Sequence, residues 1–179
     1  MSDVDDVLLR PVGEGDLPTL TGMLNSPEAR APFQWFGWLD PARTARGWAE
    51  NGLLGPDNGL LMVATATEPL GFVSWRKIDA SGYSYFWNIG ILLLPDARGR
   101  GVGTRAQRLL VDYLFAHTPV VRIEADTEAT NFPEQRALEK AGFTREGVLR
   151  SVVFRDGRWR DAMLYSIIRD DVDVAAAGA

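Results

Sequence analysis

Arginine and glycine alternate at the start of Arg98-Gly99-Arg100-Gly101-Val102-Gly103-Thr104, which follows the apolar run Ile91-Leu92-Leu93-Leu94 and the short link Pro95-Asp96-Ala97. Glycine has no Cβ, so its backbone can come close to a ligand. Beyond the glycines, Val102, Ala106, Leu109, Leu110, Tyr113 and Leu114 recur at three- and four-residue spacings, which predicts an amphipathic helix. A strand, a glycine turn and a helix in immediate succession form an anion cradle. The first-turn N–H groups have no acceptor within the helix, and the positive end of the helix dipole stands behind them. Arg98 and Arg100 add guanidinium forks that fit phosphate oxygens. The chemistry predicted for this stretch is the binding of a phosphate-bearing cofactor.

The rest of the composition narrows what can accompany it. The chain has no cysteine and one histidine, His117, placed by Thr118-Pro119 at a helix end. A thiolate nucleophile, a disulfide and a cysteine or histidine-rich metal site are therefore excluded, and no metal is expected. A net charge of −5 makes nucleic acid a poor partner. An acidic exterior around a basic loop suits an anionic cofactor and a cationic or amine substrate. No apolar run approaches the roughly 18 residues of a membrane span, and the start, Met1 to Asp6, is acidic rather than basic. The expectation is a cytoplasmic protein without membrane contact.

The elements that must position the cradle read as α/β, in one domain over residues 1–179. Val7–Val12 predicts a strand and Glu14–Leu24 a helix. Asn25–Leu39 reads as a loop dense in aromatics, with Phe33, Trp35, Phe36 and Trp38 as a pocket wall; Trp35 and Trp38 are the substrate-binding candidates. Asp40–Glu50 predicts a helix with Pro41 at its first position. Leu60–Ala66, Leu70–Ile78 and Tyr83–Leu94 predict strands joined by short hairpins, with Gly90 marking a bulge or a close backbone approach. Val120–Ala125 is a further strand and Phe132–Ala141 a helix closed by a left-handed Gly142. Val148–Phe154 and Arg158–Ile168 flank the hairpin turn Asp156-Gly157, and residues 170–179 read as a fraying tail.

This order, with the R-x-x-G-x-G string of Arg98, Gly101 and Gly103, resembles the GNAT superfamily of acyl-CoA-dependent N-acetyltransferases over roughly Val7 to Ile168. A second anchor is Asn131 followed by Glu139-Lys140-Ala141-Gly142-Phe143. Glu146-Gly147-Val148-Leu149-Arg150 and Asp161 resemble the RimJ/RimL-type branch, which acetylates protein N-termini or small amines. The resemblance implies a mixed, mostly antiparallel twisted sheet of about seven strands flanked by about four helices. It implies acetyl-CoA as cosubstrate, with the backbone of Ile91, Leu92 and Leu93 pairing with the pantetheine arm. Amides from Arg98 through Gly99, Arg100, Gly101, Val102, Gly103 and Thr104 would hold the pyrophosphate, and Asn131 would bond the pantetheine. Asn131 also reads as a helix N-cap, forming a capping box with Glu134. A dinucleotide-binding fold is not supported, because the strands before the glycines are antiparallel in prospect, and no lysine precedes Thr104 as a Walker loop requires.

Acetyl transfer needs a deprotonated amine, donors for the oxyanion and a proton for the departing thiolate. Here the chain departs from the family. Leu138 stands where many members carry an acidic tyrosine, Glu134 stands where RimL-like enzymes carry a serine, and the glutamate common near Asn88 is missing. Glu134 and Asp126 are the candidate catalytic groups, with Glu124 beside them. The function expected is transfer of the acetyl group to a small-molecule primary amine in a ternary complex. A peptide N-terminus as acceptor and a non-catalytic acyl-CoA-binding module are the alternatives. The terminal hairpin offers a homodimer contact.

Overall fold

The computed structural model describes residues 4–172. Its sheet contains β1 (Leu8–Arg10), β2 (Asn58–Ala64), β3 (Pro69–Ser81), β4 (Ser84–Leu93), β5 (Arg122–Glu128), β6 (Thr144–Arg155) and β7 (Arg158–Ile168). The order is β1-β2-β3-β4-β5-β7-β6, antiparallel at every step except between β4 and β5. The helices are α1 (Leu17–Leu24), α2 (Pro27–Arg30), α3 (Arg43–Asn51), α4 (Val102–His117) and α5 (Phe132–Lys140). The mixed, mostly antiparallel sheet is the one expected. The short α2 lies inside the segment read as a loop, where Ser26 Oγ accepts the Ala29 N–H at 3.0 Å and Pro27 opens the turn. At the other end, residues 169–172 make a helical turn rather than fraying, and Val172 packs on the core; residues 173–179 lie outside the described residues.

Alternation along the strands sends side chains to two faces. Val73, Trp75, Trp87, Ile89, Ile123 and Tyr165 meet Ala106, Leu110 and Leu114 of α4 and Leu138 of α5. Met62, Phe72 and Leu92 meet Leu20 and Met23 of α1 on the other face. The fully buried Leu110 and Leu114 each contribute about 2–3 kcal/mol of transfer free energy. Local signals behaved as their backbone demands. Gly142 adopts φ +100°, and Asp156 and Gly157 both adopt positive φ in the tight hairpin.

The feature that makes a site is a splay. β4 and β5 pair only over Trp87–Ile89 with Ile123–Ala125. β4 then runs on beside β3, β5 runs on beside β7, and a wedge opens between their carboxyl ends. The bulge expected at Gly90 is absent. Gly90 keeps regular register opposite Ser74, and the irregularity in that hairpin falls between Asp79 and Ser81. Gly90 instead marks the residue where β4 leaves β5.

Candidate active site

Gly101, at φ +82°, is the N-cap of α4. The first helical N–H to find a backbone acceptor is that of Arg105, on Gly101 O at 3.1 Å. The N–H groups of Gly101, Val102, Gly103 and Thr104 have no backbone acceptor among the described residues, as an anion cradle requires. Gly103 is helical, and a Cβ there would meet only Leu93 and Ile91 side chains at 3.7 and 4.0 Å, which is ordinary contact. Packing therefore does not require glycine at 103; the bare backbone faces a cavity instead. Gly99 holds φ +70° with open space around it.

The arginines do other work than the sequence suggests. The Arg98 N–H closes a tight turn onto Pro95 O at 3.2 Å, so this amide is not part of the cradle. The Arg98 guanidinium donates to Leu93 O and Ala31 O, both at 3.1 Å, and to Ala29 O. It ties the segment after α1 down across the end of β4 rather than forking onto a ligand. Arg100 donates to Asp96 O at 3.2 Å and Val102 buries its side chain in the core; neither lines the cavity.

That cavity, of about 510 Å³, is lined by Ile91, Leu92, Leu93, Arg98, Gly99, Gly101, Gly103, Thr104, Asn131 and Glu134. Two carbonyls on the β4 rail already have partners: Gln34 Nε2 donates to Ile91 O at 2.9 Å, and Arg98 holds Leu93 O. Asn131 caps α5 by accepting the Glu134 N–H at 3.4 Å and donates to Thr127 Oγ1 at 2.9 Å. The capping box does not close. The Glu134 carboxyl turns away from its own helix end and accepts from Gln107 Nε2 on α4. Burial pushes Glu134 up to about 7, against the amide N–H, which favours the anion.

A second cavity, of about 350 Å³, lies on the other side of the Gln34–Ile91 bond. Phe33, Gln34 and Asn131 line both cavities; Phe36, Ser74, Gly90, Asp126 and Glu128 line the second. Trp35 and Trp38 line neither. They pack edge to face at 5.0 Å on the outside, with Trp38 74% exposed, so the pocket wall is Phe33 and Phe36. Glu124, Asp126 and Glu128 alternate onto one face of β5. Arg122 pairs with Glu124 at 2.7 Å; Arg155 and Arg160 pair with Glu128 at 2.7 and 3.4 Å. Asp126 has no cation partner among the described residues; Asn88 Nδ2 donates to it at 3.0 Å, and Arg76 Nε donates to Asn88 at 3.3 Å. Sequence reasoning missed Gln34, Asn88 and Gln107. Each is a neutral amide whose partner is far along the chain, and only the β-strand register could have placed Asn88 opposite β5.

With this geometry, comparison with known proteins is decisive for family. Residues 6–144 match the model described as acetyltransferase (GNAT) domain. The chain belongs to the GNAT acetyltransferases. It is 30% identical over 158 residues to the aminoglycoside N(6')-acetyltransferase type 1 of Klebsiella pneumoniae, covering 81% of this chain and 77% of that one. It is 41% identical over 83 residues to the probable N-acetyltransferase YjcK of Bacillus subtilis, which is 46% of each chain, so the match spans about half of that relative's length. Its fold superposes on the spermidine N-acetyltransferase of Vibrio cholerae, solved in complex with CoA and spermine. The TM-score is 0.80 at 19% identity, covering 93% of this chain and 98% of that one. In this GNAT chain the glycine cradle lines the first cavity, Gly90 and Asp126 line the second, and Phe33, Gln34, Ile91 and Asn131 line both.

Proposed function

We propose that the protein is an acetyl-CoA-dependent N-acetyltransferase whose acceptor is a small cationic primary amine. The observation that carries the acceptor class is Asp126, a carboxylate facing the second cavity with a neutral amide where its neighbours on β5 have arginines. Relatives and fold neighbours named for aminoglycoside and spermidine acetylation support the same class.

The residues fit the cosubstrate. The unpaired N–H groups of Gly101 to Thr104 suit its pyrophosphate, and the rail from Ile91 to Leu93 with Asn131 suits its pantetheine arm. Acetyl-CoA supplies an acetyl group activated as a thioester. Asp126 holds the acceptor ammonium and takes its proton, directly or through water, which exposes the nitrogen lone pair, and the second proton that nitrogen sheds as the amide forms leaves to water. Asn88 fixes the carboxylate for this task. Glu134 supplies the proton that the thiol needs as the C–S bond breaks and the C–N bond forms, and regains it from solvent. No cysteine exists to carry the acyl group, so attack is direct, and alignment of amine and thioester supplies much of the rate.

The test is thiol release from acetyl-CoA over a panel of diamines, polyamines, aminosugars and short peptides with free N-termini. Turnover on small amines is expected, with Asp126→Asn raising the acceptor KM about tenfold or more. Turnover on peptides alone would move the acceptor to protein N-termini. Tight coenzyme A binding by calorimetry with no turnover would leave a non-catalytic binding module.

A further inference from the structure

Gln107 lies on α4 one turn beyond Gly103 and is 2% exposed. Its Nε2 donates to Glu134 Oε1, while its Oε1 is buried and has no hydrogen-bond partner. A buried amide oxygen left unpaired costs about 1–3 kcal/mol, and folded chains keep few of them. The group opposite it decides whether the cost stands. A carboxylate only accepts, so it cannot satisfy an amide oxygen. A carboxylic acid can: the amide N–H bonds one carboxyl oxygen, and the acid O–H returns to the amide oxygen. Both groups are then paired and no charge is buried.

We propose that Gln107 is a positioning residue that holds Glu134 as a neutral carboxylic acid in the cofactor cleft, its O–H donating to Gln107 Oε1. This rests on the reading of Glu134 as the proton donor, and it explains how the proton is kept in place between turnovers. The charged groups around the pair do not undo it. Arg30, Arg98, Arg136 and Lys140 line the same cavity, yet none bonds Glu134 among the described residues. Arg105 and Arg108 flank Gln107 on α4, and Arg108 donates to Lys140 O. Asp126 and Glu128 face the second cavity. Burial raises Glu134 and prevails over the Gln107 N–H, which favours the anion.

Infrared difference spectra of the ligand-free protein through a pH titration test this without any turnover. A protonated-carboxyl C=O band titrating near neutrality is expected in the unaltered chain and absent in Glu134→Gln. In the near-isosteric Gln107→Met the band should persist but move to higher wavenumber, because its hydrogen bond to Oε1 is gone. The same variant should lower kcat about tenfold with the acceptor KM unchanged. A Glu134 that titrates in the ordinary carboxylate range, or a band that Gln107→Met leaves in place, overturns the assignment. The band with no turnover on any amine would support the pairing while removing the acetyltransferase reading; turnover without the band would do the reverse.

Discussion

Of the three carboxyl groups that line the two cavities, two are oriented by a neutral amide: Glu134, buried beside Gln107, and Asp126, exposed beside Asn88. For Glu134 the consequence reaches beyond catalysis. Its folded value is raised above the unfolded 4.5 to about 7, so its contribution is complete below about pH 4.5 and is lost as pH rises through 7. Denaturant unfolding should show Glu134→Gln gaining about 2–3 kcal/mol on the unaltered chain between pH 5 and pH 8. Gly103 makes a cleaner probe of the cradle. Gly103→Val meets only ordinary contacts at its Cβ, so stability should stay within about 0.5 kcal/mol. Coenzyme A affinity, measured by calorimetry, should drop about tenfold or more because the side chain enters the anion site. The glycines were legible in the sequence because a bare backbone is a local property. The Gln107–Glu134 pair, 27 positions apart, was not. Nothing in a capping-box pattern says that its glutamate will prefer a partner on another helix.

Among the elements, the segment from Asn25 to Leu39 is held from both sides of the cleft. Arg98 grips its carbonyls from the end of β4. Phe33 lies 6.0 Å from the Arg155 guanidinium, which in turn is buried against Glu128. Removing Arg155 leaves buried Glu128 only its longer bridge to Arg160, so Arg155→Met should cost about 3 kcal/mol in chemical unfolding. The acceptor KM should rise in the same variant, since Phe33 loses its backing. Here the sequence was informative about turns and silent about facing. The Asp156-Gly157 hairpin turn and the helix end at Gly142 call for positive φ, which these residues adopt, and they read correctly. The aromatics of this segment read only as a group. Phe33 and the half-exposed Phe36 line the second cavity, while Trp35 and Trp38 pack on each other away from it. Arg98 looked like a phosphate ligand because composition shows charge and cannot show which carbonyls lie within reach.

The molecule as a whole is a seven-stranded sheet joined at its middle by three residue pairs. The antiparallel hairpins β2-β3-β4 and β6-β7 followed from their short separators, while the place of β7 between β5 and β6 came only with the family resemblance. The extent of the splay followed from neither, because no local signal states where two parallel strands stop pairing. This narrow seam has a mechanical meaning. The N-terminal half, β1 to β4, and the C-terminal half, β5 to β7, share few ladder bonds, so backbone continuity across the sheet depends on whatever fills the gap. In the empty protein the amides of Ile91 and Leu93 should exchange with deuterium orders of magnitude faster than those of Val73 in the neighbouring strand. Coenzyme A should slow them toward the same rate and merge a broad calorimetric transition into a single sharp one. Rapid exchange that the ligand leaves unchanged would mean that the arm takes another path. The cosubstrate would then act as a structural member, closing the seam along the free edge of β4, while the single core packed beneath both halves holds them together when the gap is empty.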